Sequence, residues 1–290
     1  MSTKKTLLKR GGKGVATTIF DLLIRLVLII YSVIVVYPVV WTLLSSFKTN
    51  QEFYQSAWAL PQGFYIDNYI NAWHTAKIGT YFINSIIVVA ITVALTLILC
   101  ATTAYVLARF KFKGNTLVQT LYMSGLYVPT ILGIVPIFLL LVSLRMLDTW
   151  RGLIIIYTVF SLPFSVFVLI AFYKTIPYEL SDAARIDGCN EYGTFWRIMF
   201  PISKTGLITV SIFNYIWVWN DYLFGMTFIT NDLKRTLPVG LVRLTETLQF
   251  KTEWGSLFAG LVIIMAPSIL VYALFQQQLT KGLTAGSIKG

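Results

Sequence analysis

Residues Glu179–Pro201, ELSDAARIDGCNEYGTFWRIMFP, form a polar stretch between two long apolar runs, Leu153–Phe172 and Gly206–Thr230. Each apolar run has about the 20 residues that an α-helix needs to cross the hydrocarbon core of a membrane. Packing inside a bilayer gives no reason for a connection this long and this polar. We therefore expect the stretch to lie outside the bilayer and to bind another molecule.

The composition of the 290-residue chain indicates a protein that crosses a membrane several times. Hydrophobic residues make up 57% of the sequence, charged residues make up 12%, and the mean hydropathy is +0.73. A soluble domain of this length needs more polar surface. The net charge of +11 comes largely from basic residues in the connections between apolar runs. Membrane topology and anionic lipid headgroups explain such residues, so no nucleic-acid partner is predicted.

The apolar runs are continuous rather than alternating, which predicts an all-α fold with six transmembrane helices. They divide the chain into a basic N-terminal segment (residues 1–21), a membrane domain (22–275) that contains the polar connection 177–201, and a C-terminal tail (276–290). The predicted spans are Leu22–Leu44, Ile83–Leu107, Leu117–Val142, Leu153–Phe172, Gly206–Thr230 and Gly255–Phe275.

The distribution of basic residues predicts the orientation of these spans. With the N-terminus in the cytoplasm, the cytoplasmic segments hold fourteen Lys and Arg residues and the external segments hold eight. Basic residues concentrate on the cytoplasmic side of membrane proteins. Both termini and the polar connection are therefore predicted to be cytoplasmic.

Proline and glycine residues are predicted to break four of the six spans. The third span carries Gly125, Pro129, Gly133 and Pro136, and the first, fourth and sixth carry Pro38, Pro163 and Pro267. Such breaks free backbone groups that neighbouring helices or water must satisfy. Two interpretations stay open: kinks that only shape the packing, and a bundle that moves or lines a cavity.

Two long external connections, Ser45–Thr80 and Asn231–Trp254, also have two interpretations. They can dock an external partner, or their aromatic side chains can rest at the level of the lipid headgroups.

Local signals predict two short helices within the polar stretch. Pro177 suits a first helical position, and Glu179 and Asp182 favour the positive end of a helix, so Pro177–Asp187 is predicted as the first helix with Gly188 as its stop. Asn190 is predicted to cap a second helix, Glu191–Phe200, which Pro201 ends. The small residues Ala183 and Ala184 would let another surface approach the backbone, and a broad apolar surface is predicted from Tyr192, Phe195, Trp196 and Met199.

This stretch resembles the EAA loop of ATP-binding-cassette (ABC) importer permeases, a pattern of Glu-Ala-Ala, three residues, Gly, and a closing Pro. Asp182-Ala183-Ala184 stands for Glu-Ala-Ala, Gly188 for the glycine and Pro201 for the proline, and Asp for Glu at 182 keeps the charge. Three further matches indicate the carbohydrate-uptake, maltose-transporter-type class: Phe64–Tyr69, Trp219-Asn220-Asp221-Tyr222, and the tail Leu279–Gly290.

The resemblance implies a non-catalytic permease subunit of the bacterial cytoplasmic membrane that moves a sugar or oligosaccharide by alternating access. In this family the loop is the coupling helix that docks on the ATPase. The implied partners are a second homologous permease, a dimeric cytoplasmic ABC ATPase that binds ATP and Mg²⁺, and an extracytoplasmic solute-binding protein. The implied coupling residues are Glu179, Asp182, Ala183, Ala184, Asp187 and Gly188.

The sequence lacks the chemistry of a stand-alone enzyme or ATPase. Gly11–Gly14 lacks the upstream glycine and the hydroxyl residue of a phosphate-binding loop, so no cofactor is predicted in this chain. His74 is the single histidine and makes a poor metal site. Cys100 and Cys189, which lie 89 residues apart, show no metal or redox spacing and are predicted to be free thiols.

Three polar residues of the fifth predicted span are candidates for a function inside the membrane. Asp221 is an acid within a span, and Asn214 and Asn220 are predicted on the same helix, with Asn214 and Asp221 on one face. They are predicted either to line the transport pathway or to hydrogen-bond to the partner permease. A polyol or glycerol-phosphate-type solute, or an ion-coupled carrier, stays open as an alternative function.

Overall fold

The computed structural model describes residues 15–247 and 253–285, with side chains for 19–242 and 253–278, and all regular structure in these ranges is helical. This confirms the predicted all-α fold. The helices are α1 (Val15–Ser45), α2 (Asn50–Gln55), α3 (Asp67–Ile70), α4 (Ile78–Arg109), α5 (Asn115–Ser124), α6 (Ile134–Ser143), α7 (Trp150–Thr175), α8 (Glu179–Ile186), α9 (Glu191–Thr194), α10 (Phe200–Ile202), α11 (Lys204–Asn220), α12 (Leu223–Phe228), α13 (Leu237–Thr247) and α14 (Trp254–Ala285).

Four helical segments of the described chain are long and apolar enough to cross a membrane: Ile19–Ser45, Ile78–Arg109, Trp150–Thr175 and Trp254–Gln278. The pair Asn115–Tyr127 and Thr130–Ser143, bent by 95°, makes a fifth if it counts as one span. The fifth predicted span is divided in the structure, because α11 has 17 residues and ends at Asn220, and α12 follows as a separate short helix. Helix α14 continues through most of the predicted tail, to Ala285.

Proline breaks only one of the four spans in which a break was predicted. In the third span, Pro129 adopts an extended conformation between the two bent halves. Pro38, Pro163 and Pro267 lie inside the continuous helices α1, α7 and α14, so the prediction that they interrupt these spans is wrong. The ring of Pro163 packs against the third span, where Gly125 leaves room for it.

Helices α4 and α7 pack along each other, and α11 packs across both. We call the end of the bundle at Arg109 and Thr175 the loop end, because residues 176–203 connect α7 to α11 there, and the opposite end the far end. A separate cluster of buried side chains lies near each end. Tyr157, Trp219 and Phe224 belong to the far-end cluster. Cys100, Ala104, Leu169, Tyr173 and Met199 belong to the loop-end cluster.

Helix α1 stands largely apart from the other described helices. Its apolar side chains from Ile19 to Val40 are exposed. The aromatic contacts begin near its C-terminal end, where the Trp41 ring meets the edge of Phe258 on α14 at 5.0 Å. A helix that is apolar on every side is stable only in lipid or against another protein.

At the far end, Asn68 joins three parts of the chain. The side-chain amide of this buried residue donates hydrogen bonds to the carbonyls of Ser46 (2.8 Å) and Lys48 (2.9 Å), just after α1 ends. Tyr69 shares a hydrogen bond of 2.7 Å with Ser46. Gly255 at the start of α14 lies so close that a Cβ there would overlap the Asn68 amide. Asn68 and Tyr69, the end of the stretch Phe64–Tyr69, therefore link the C-terminal end of α1 to the start of α14.

We predict that Asn68→Asp destabilises the protein, because a carboxylate replaces the amide donor and faces two carbonyl oxygens. A buried polar group that loses its partner costs about 1–3 kcal/mol, and a charged one costs more. The measurement is the thermal unfolding of the purified protein in detergent. Asn71→Asp, the same change three residues later at a position that is only half-buried, is the matched control. Equal melting temperatures for the two variants would contradict the assignment.

Candidate functional site

The side chain of Arg109, the last residue of α4, attaches the first helix of the polar stretch to the bundle. Its guanidinium donates to the carbonyls of Ile176 (2.7 Å) and Pro177 (2.9 Å) and to the Ser181 hydroxyl (3.2 Å). The same group lies 4.2 Å above the centre of the Tyr178 ring. Charge-assisted hydrogen bonds of this kind are about twice as strong as neutral ones. Helix α8 is therefore held against the ends of α4 and α7.

Helix α8 has one face buried against its own chain and one face exposed. Ser181 and Ala184 lie on the buried face. Of the two alanines that were predicted to admit another surface, only Ala183 is exposed. The exposed residues are Glu179, Leu180, Asp182, Ala183, Arg185, Ile186 and Asp187.

Ile186 is the residue of α8 that solvent reaches most freely, with 86% of its surface exposed. The same exposed surface carries the acidic residues Glu179, Asp182 and Asp187 and the cation Arg185, which pairs with Asp182. An isoleucine left this exposed at the end of a short helix has no packing role within the described chain. This arrangement suits contact with another protein surface.

A turn at Gly188 separates the two helical parts of the polar stretch, as predicted. Gly188 has φ of +81°, a left-handed conformation that side chains other than glycine rarely adopt. The backbone N–H of Cys189 donates to the Ala184 carbonyl at 2.9 Å and closes the end of α8. Asn190 caps α9 by accepting a hydrogen bond from the Gly193 N–H at 2.7 Å.

Arg185 connects α8 to α9 through two ion pairs. Its guanidinium lies 3.1 Å from the Asp182 carboxylate and 2.9 Å from the Glu191 carboxylate. The hydrogen bond to Glu191 and the charge of that carboxylate raise the pKa of Arg185 above its ordinary value. All three side chains are about half exposed, so each pair contributes little stability alone. Together they fix the angle between the two helices.

The second predicted helix is present but divided, because a π-helical turn at Phe195–Met199 lies between α9 and α10. Pro201 lies within α10, which ends one residue later. The predicted broad apolar surface of this helix is wrong in part. Phe195 and Met199 are buried in the loop-end cluster, where the Phe195 ring lies 5.1 Å from Tyr105, while Tyr192 is exposed.

Between the turn and the second helix lies an open polar cavity of about 390 Å³. Its lining includes Asp187, Gly188, Tyr192 and Arg197. The polar stretch thus has two kinds of surface outside the bundle: the exposed face of α8 and this concave cavity beside it.

The polar residues of the fifth predicted span do not come together. Asp221 lies after the end of α11, so the prediction that it shares a helical face with Asn214 is wrong. Its carboxylate accepts hydrogen bonds from the Tyr157 hydroxyl (2.7 Å) and from the N–H groups of Phe224 and Gly225 (3.0 and 3.1 Å), which caps α12. Asn214 is buried and donates to the Ser165 hydroxyl at 2.9 Å.

Asn220 is exposed and donates to the Ile216 carbonyl of its own helix at 2.7 Å. Asn214 and Asp221 thus join α11 to α7 within this chain. A role of the three residues in the pathway or toward a partner permease stays a prediction.

Cys100 and Cys189 are both free, which confirms the prediction for these thiols. Among the described residues, no three His, Cys, Asp or Glu side chains are grouped as a metal site would require.

Sequence analysis missed two residues of this site, Arg109 and Ile186. In the sequence, Arg109 is only one of the fourteen basic residues counted as cytoplasmic, because its contacts lie 67 to 72 residues further along the chain. Ile186 is one of the three residues between Ala184 and Gly188, to which the EAA pattern gives no role. Its position two residues after the buried Ala184 indicates that it lies on the opposite side of the helix.

Comparison with known proteins agrees with this architecture. A family model described as "binding-protein-dependent transport system inner membrane component" matches residues 98–285. The diacetylchitobiose uptake system permease protein NgcG of Streptomyces coelicolor is 38% identical over 262 residues, which cover 90% of this chain and 87% of that protein. The trehalose transport system permease protein SugB of Mycobacterium tuberculosis is 32% identical, over 87% of this chain and 92% of that protein.

The fold is also found in a solved structure. A chain of a bacterial ABC transporter involved in the import of the acidic polysaccharide alginate matches with a TM-score of 0.81 and 22% sequence identity. The match covers 92% of this chain and 99% of that chain. Together with the family match, the curated relatives confirm the resemblance to importer permeases: the chain is a multi-pass membrane protein that belongs to the family of binding-protein-dependent transport system inner membrane components.

Proposed function

We propose that this chain is one of two permease subunits of an ABC importer for a sugar or oligosaccharide, and that helix α8 couples it to a separate cytoplasmic ATPase. The observation that carries the proposal is the attachment of α8 to two long helices by one guanidinium, with the opposite face of α8 left exposed. A helix held in this way transmits a push from outside the membrane to the bundle as a rigid-body movement.

The partners follow from the same arrangement. ATP and Mg²⁺ bind to the ATPase dimer, which receives the exposed face of α8. The second permease covers the exposed apolar side chains of α1. An extracytoplasmic solute-binding protein delivers the solute at the far end. The loop end then faces the cytoplasm, with both termini inside the cell. The named substrates of the two curated relatives, diacetylchitobiose and trehalose, support a glycoside as the solute.

Purification of the tagged chain from its native membranes, followed by reconstitution into liposomes, tests the proposal as a whole. We expect an ATPase chain and a second permease to co-purify. With the binding protein added outside and ATP inside, the liposomes should take up a labelled disaccharide. Purification of the chain alone, or uptake driven by an ion gradient without ATP, would reject the importer function.

We predict that Ile186→Glu abolishes co-purification of the ATPase without loss of folded permease. The side chain is almost fully exposed, so the substitution disturbs no packing inside the chain. It places a fourth acid among Glu179, Asp182 and Asp187, where an apolar contact is expected. The measurement is the ratio of ATPase to permease after affinity purification. Ile186→Val is the matched control and should keep the wild-type ratio of ATPase to permease. A wild-type ratio in Ile186→Glu would show that the exposed face of α8 is not the docking site.

We predict that Arg109→Gln lowers ATP-driven uptake about tenfold or more. The substitution removes the charged group that holds α8, and a hydrogen bond to a charged group contributes about 1.5–3 kcal/mol. The ATPase still binds, since the exposed face of α8 is unchanged, but hydrolysis is no longer coupled to transport. The measurement is uptake per ATP hydrolysed in proteoliposomes.

Lys111→Gln is the control for Arg109→Gln, because Lys111 is a nearby exposed cation of the same basic stretch. Its coupling ratio should equal that of wild type. An unchanged ratio in Arg109→Gln would show that the guanidinium does not transmit the movement.

A further inference from the structure

An open cavity of about 630 Å³ lies at the far end of the bundle, at the opposite end of α7 from the polar stretch. It forms where α6 ends and α7 begins, and the connection between α12 and α13 closes one side. Its lining residues are Leu144, Arg145, Met146, Thr149, Trp150, Arg151 and Lys234. Three of these seven residues are cations, on the side of the protein where sequence analysis counts the fewer basic residues.

The charges of this cavity are only partly balanced within the chain. Lys234 lies 3.1 Å from the Asp148 carboxylate and also donates to the Asp148 carbonyl at 2.7 Å. The other oxygen of that carboxylate accepts the N–H groups of Thr230 and Asn231. Arg145 and Arg151 are exposed and have no acidic partner among the described residues. The cavity therefore keeps an excess of positive charge.

The floor of the cavity is rigid. Arg145 and Asp148 have φ of +55° and +58°, in a tight turn that the N–H of Met146 closes by donating to the Leu141 carbonyl at 2.8 Å. The Thr149 hydroxyl donates back to the Met146 carbonyl at 2.7 Å. The indole N–H of Trp150 donates to the Lys234 carbonyl at 2.8 Å and joins the two sides of the cavity. The backbone of this turn and the side chain of Trp150 are thus held by contacts within the chain.

The position of the cavity indicates which anion it receives. Helix α7 has 26 residues and is about 39 Å long, which exceeds the hydrocarbon thickness of about 30 Å. Its two ends therefore lie at the depth of the lipid headgroups. Leu144, which lines the cavity, and Leu139 and Leu140, near the end of α6, are apolar and more than half exposed, so they offer a surface to acyl chains next to the cations. Trp150 is a typical residue of the membrane interface.

We propose that this cavity binds an anionic phospholipid, with Arg145 and Arg151 on the phosphate and Leu140 and Leu144 against an acyl chain. A guanidinium matches a phosphate with two parallel hydrogen bonds, which favours arginine at such a site. The exposed apolar surface next to the cations favours a lipid over the acidic surface of a docked protein. The lipid would hold the bend between α6 and α7 at a fixed depth in the membrane.

The proposal is tested with the membrane-purified chain, together with the subunits that co-purify, after removal of bound lipid. Native mass spectrometry measures the affinity for added dioleoyl phosphatidylglycerol and for dioleoyl phosphatidylcholine. We expect wild type to bind phosphatidylglycerol more tightly. We expect Arg145→Gln/Arg151→Gln to bind it on the order of thirtyfold more weakly, since each cation near a membrane surface contributes about fivefold.

Two further variants test whether the weaker lipid binding of Arg145→Gln/Arg151→Gln has another cause. Lys77→Gln changes an exposed far-end cation outside the cavity and should bind like wild type. Arg145→Lys/Arg151→Lys keeps the charge and should bind more tightly than the glutamine variant. Binding no better than the glutamine variant would show that the loss came from damage to the cavity and would overturn the proposal.

Three other results would also overturn it. One is equal affinity of wild type for the two lipids, and another is unchanged phosphatidylglycerol affinity in Arg145→Gln/Arg151→Gln. The third is that Arg145→Gln/Arg151→Gln keeps its lipid affinity but loses the stimulation of ATP hydrolysis by the solute-binding protein. This result would identify the cavity as a protein-docking surface. Lipid binding does not depend on the solute or the ATPase, so its failure would leave the importer function untouched.

Discussion

The hydrogen bonds of Arg109 are the interaction on which the rest of the loop end depends. The last carbonyls of a helix have no partner within the helix, and the Ile176 carbonyl, just after the end of α7, finds its partner in Arg109. One guanidinium from α4 satisfies the Ile176 carbonyl and at the same time contacts the start of α8. Helix α8 therefore has no freedom to swing on a loose connection, and its orientation follows that of the two long helices.

A second constraint acts at the far end, where connections between helices leave the membrane. There the buried side chains of Asn68 and Asn84 each donate hydrogen bonds to two backbone carbonyls. Buried carbonyls outside a helix need such partners. Asp221 satisfies two N–H groups of α12 in the same manner. Polar side chains near the ends of this bundle thus satisfy backbone groups first. For this reason a polar residue in an apolar run is weak evidence for a transport pathway in this chain.

The sequence predicts those parts of the fold that depend on neighbours within a few residues. Asn190 as a cap, Gly188 as a turn and the limits of α8 to within two residues all follow from local capping and from the conformational freedom of glycine. The contacts of Arg109 are not predictable in this way, because they join residues far apart in the chain. The same holds for Phe195 and Met199, since an apolar residue beside a membrane domain can face either its own core or a partner. The contact of the Pro163 ring with Gly125, just after the end of α5, is likewise one between residues far apart in the chain.

The two ends of α7 differ in what they leave exposed, and this difference has a physical consequence. At the loop end the exposed face of α8 carries three carboxylates, Arg185 and the exposed Ile186, whereas at the far end two exposed arginines lie next to exposed leucines. These two surfaces favour different neighbours: another protein at the exposed face of α8, and lipid phosphates at the arginines of the far end. A lipid bound at the far end would anchor α7 there. A movement imposed on α8 would then tilt the helix about that anchor rather than shift it along the membrane normal, and tilting is the movement that opens one side of a bundle while closing the other.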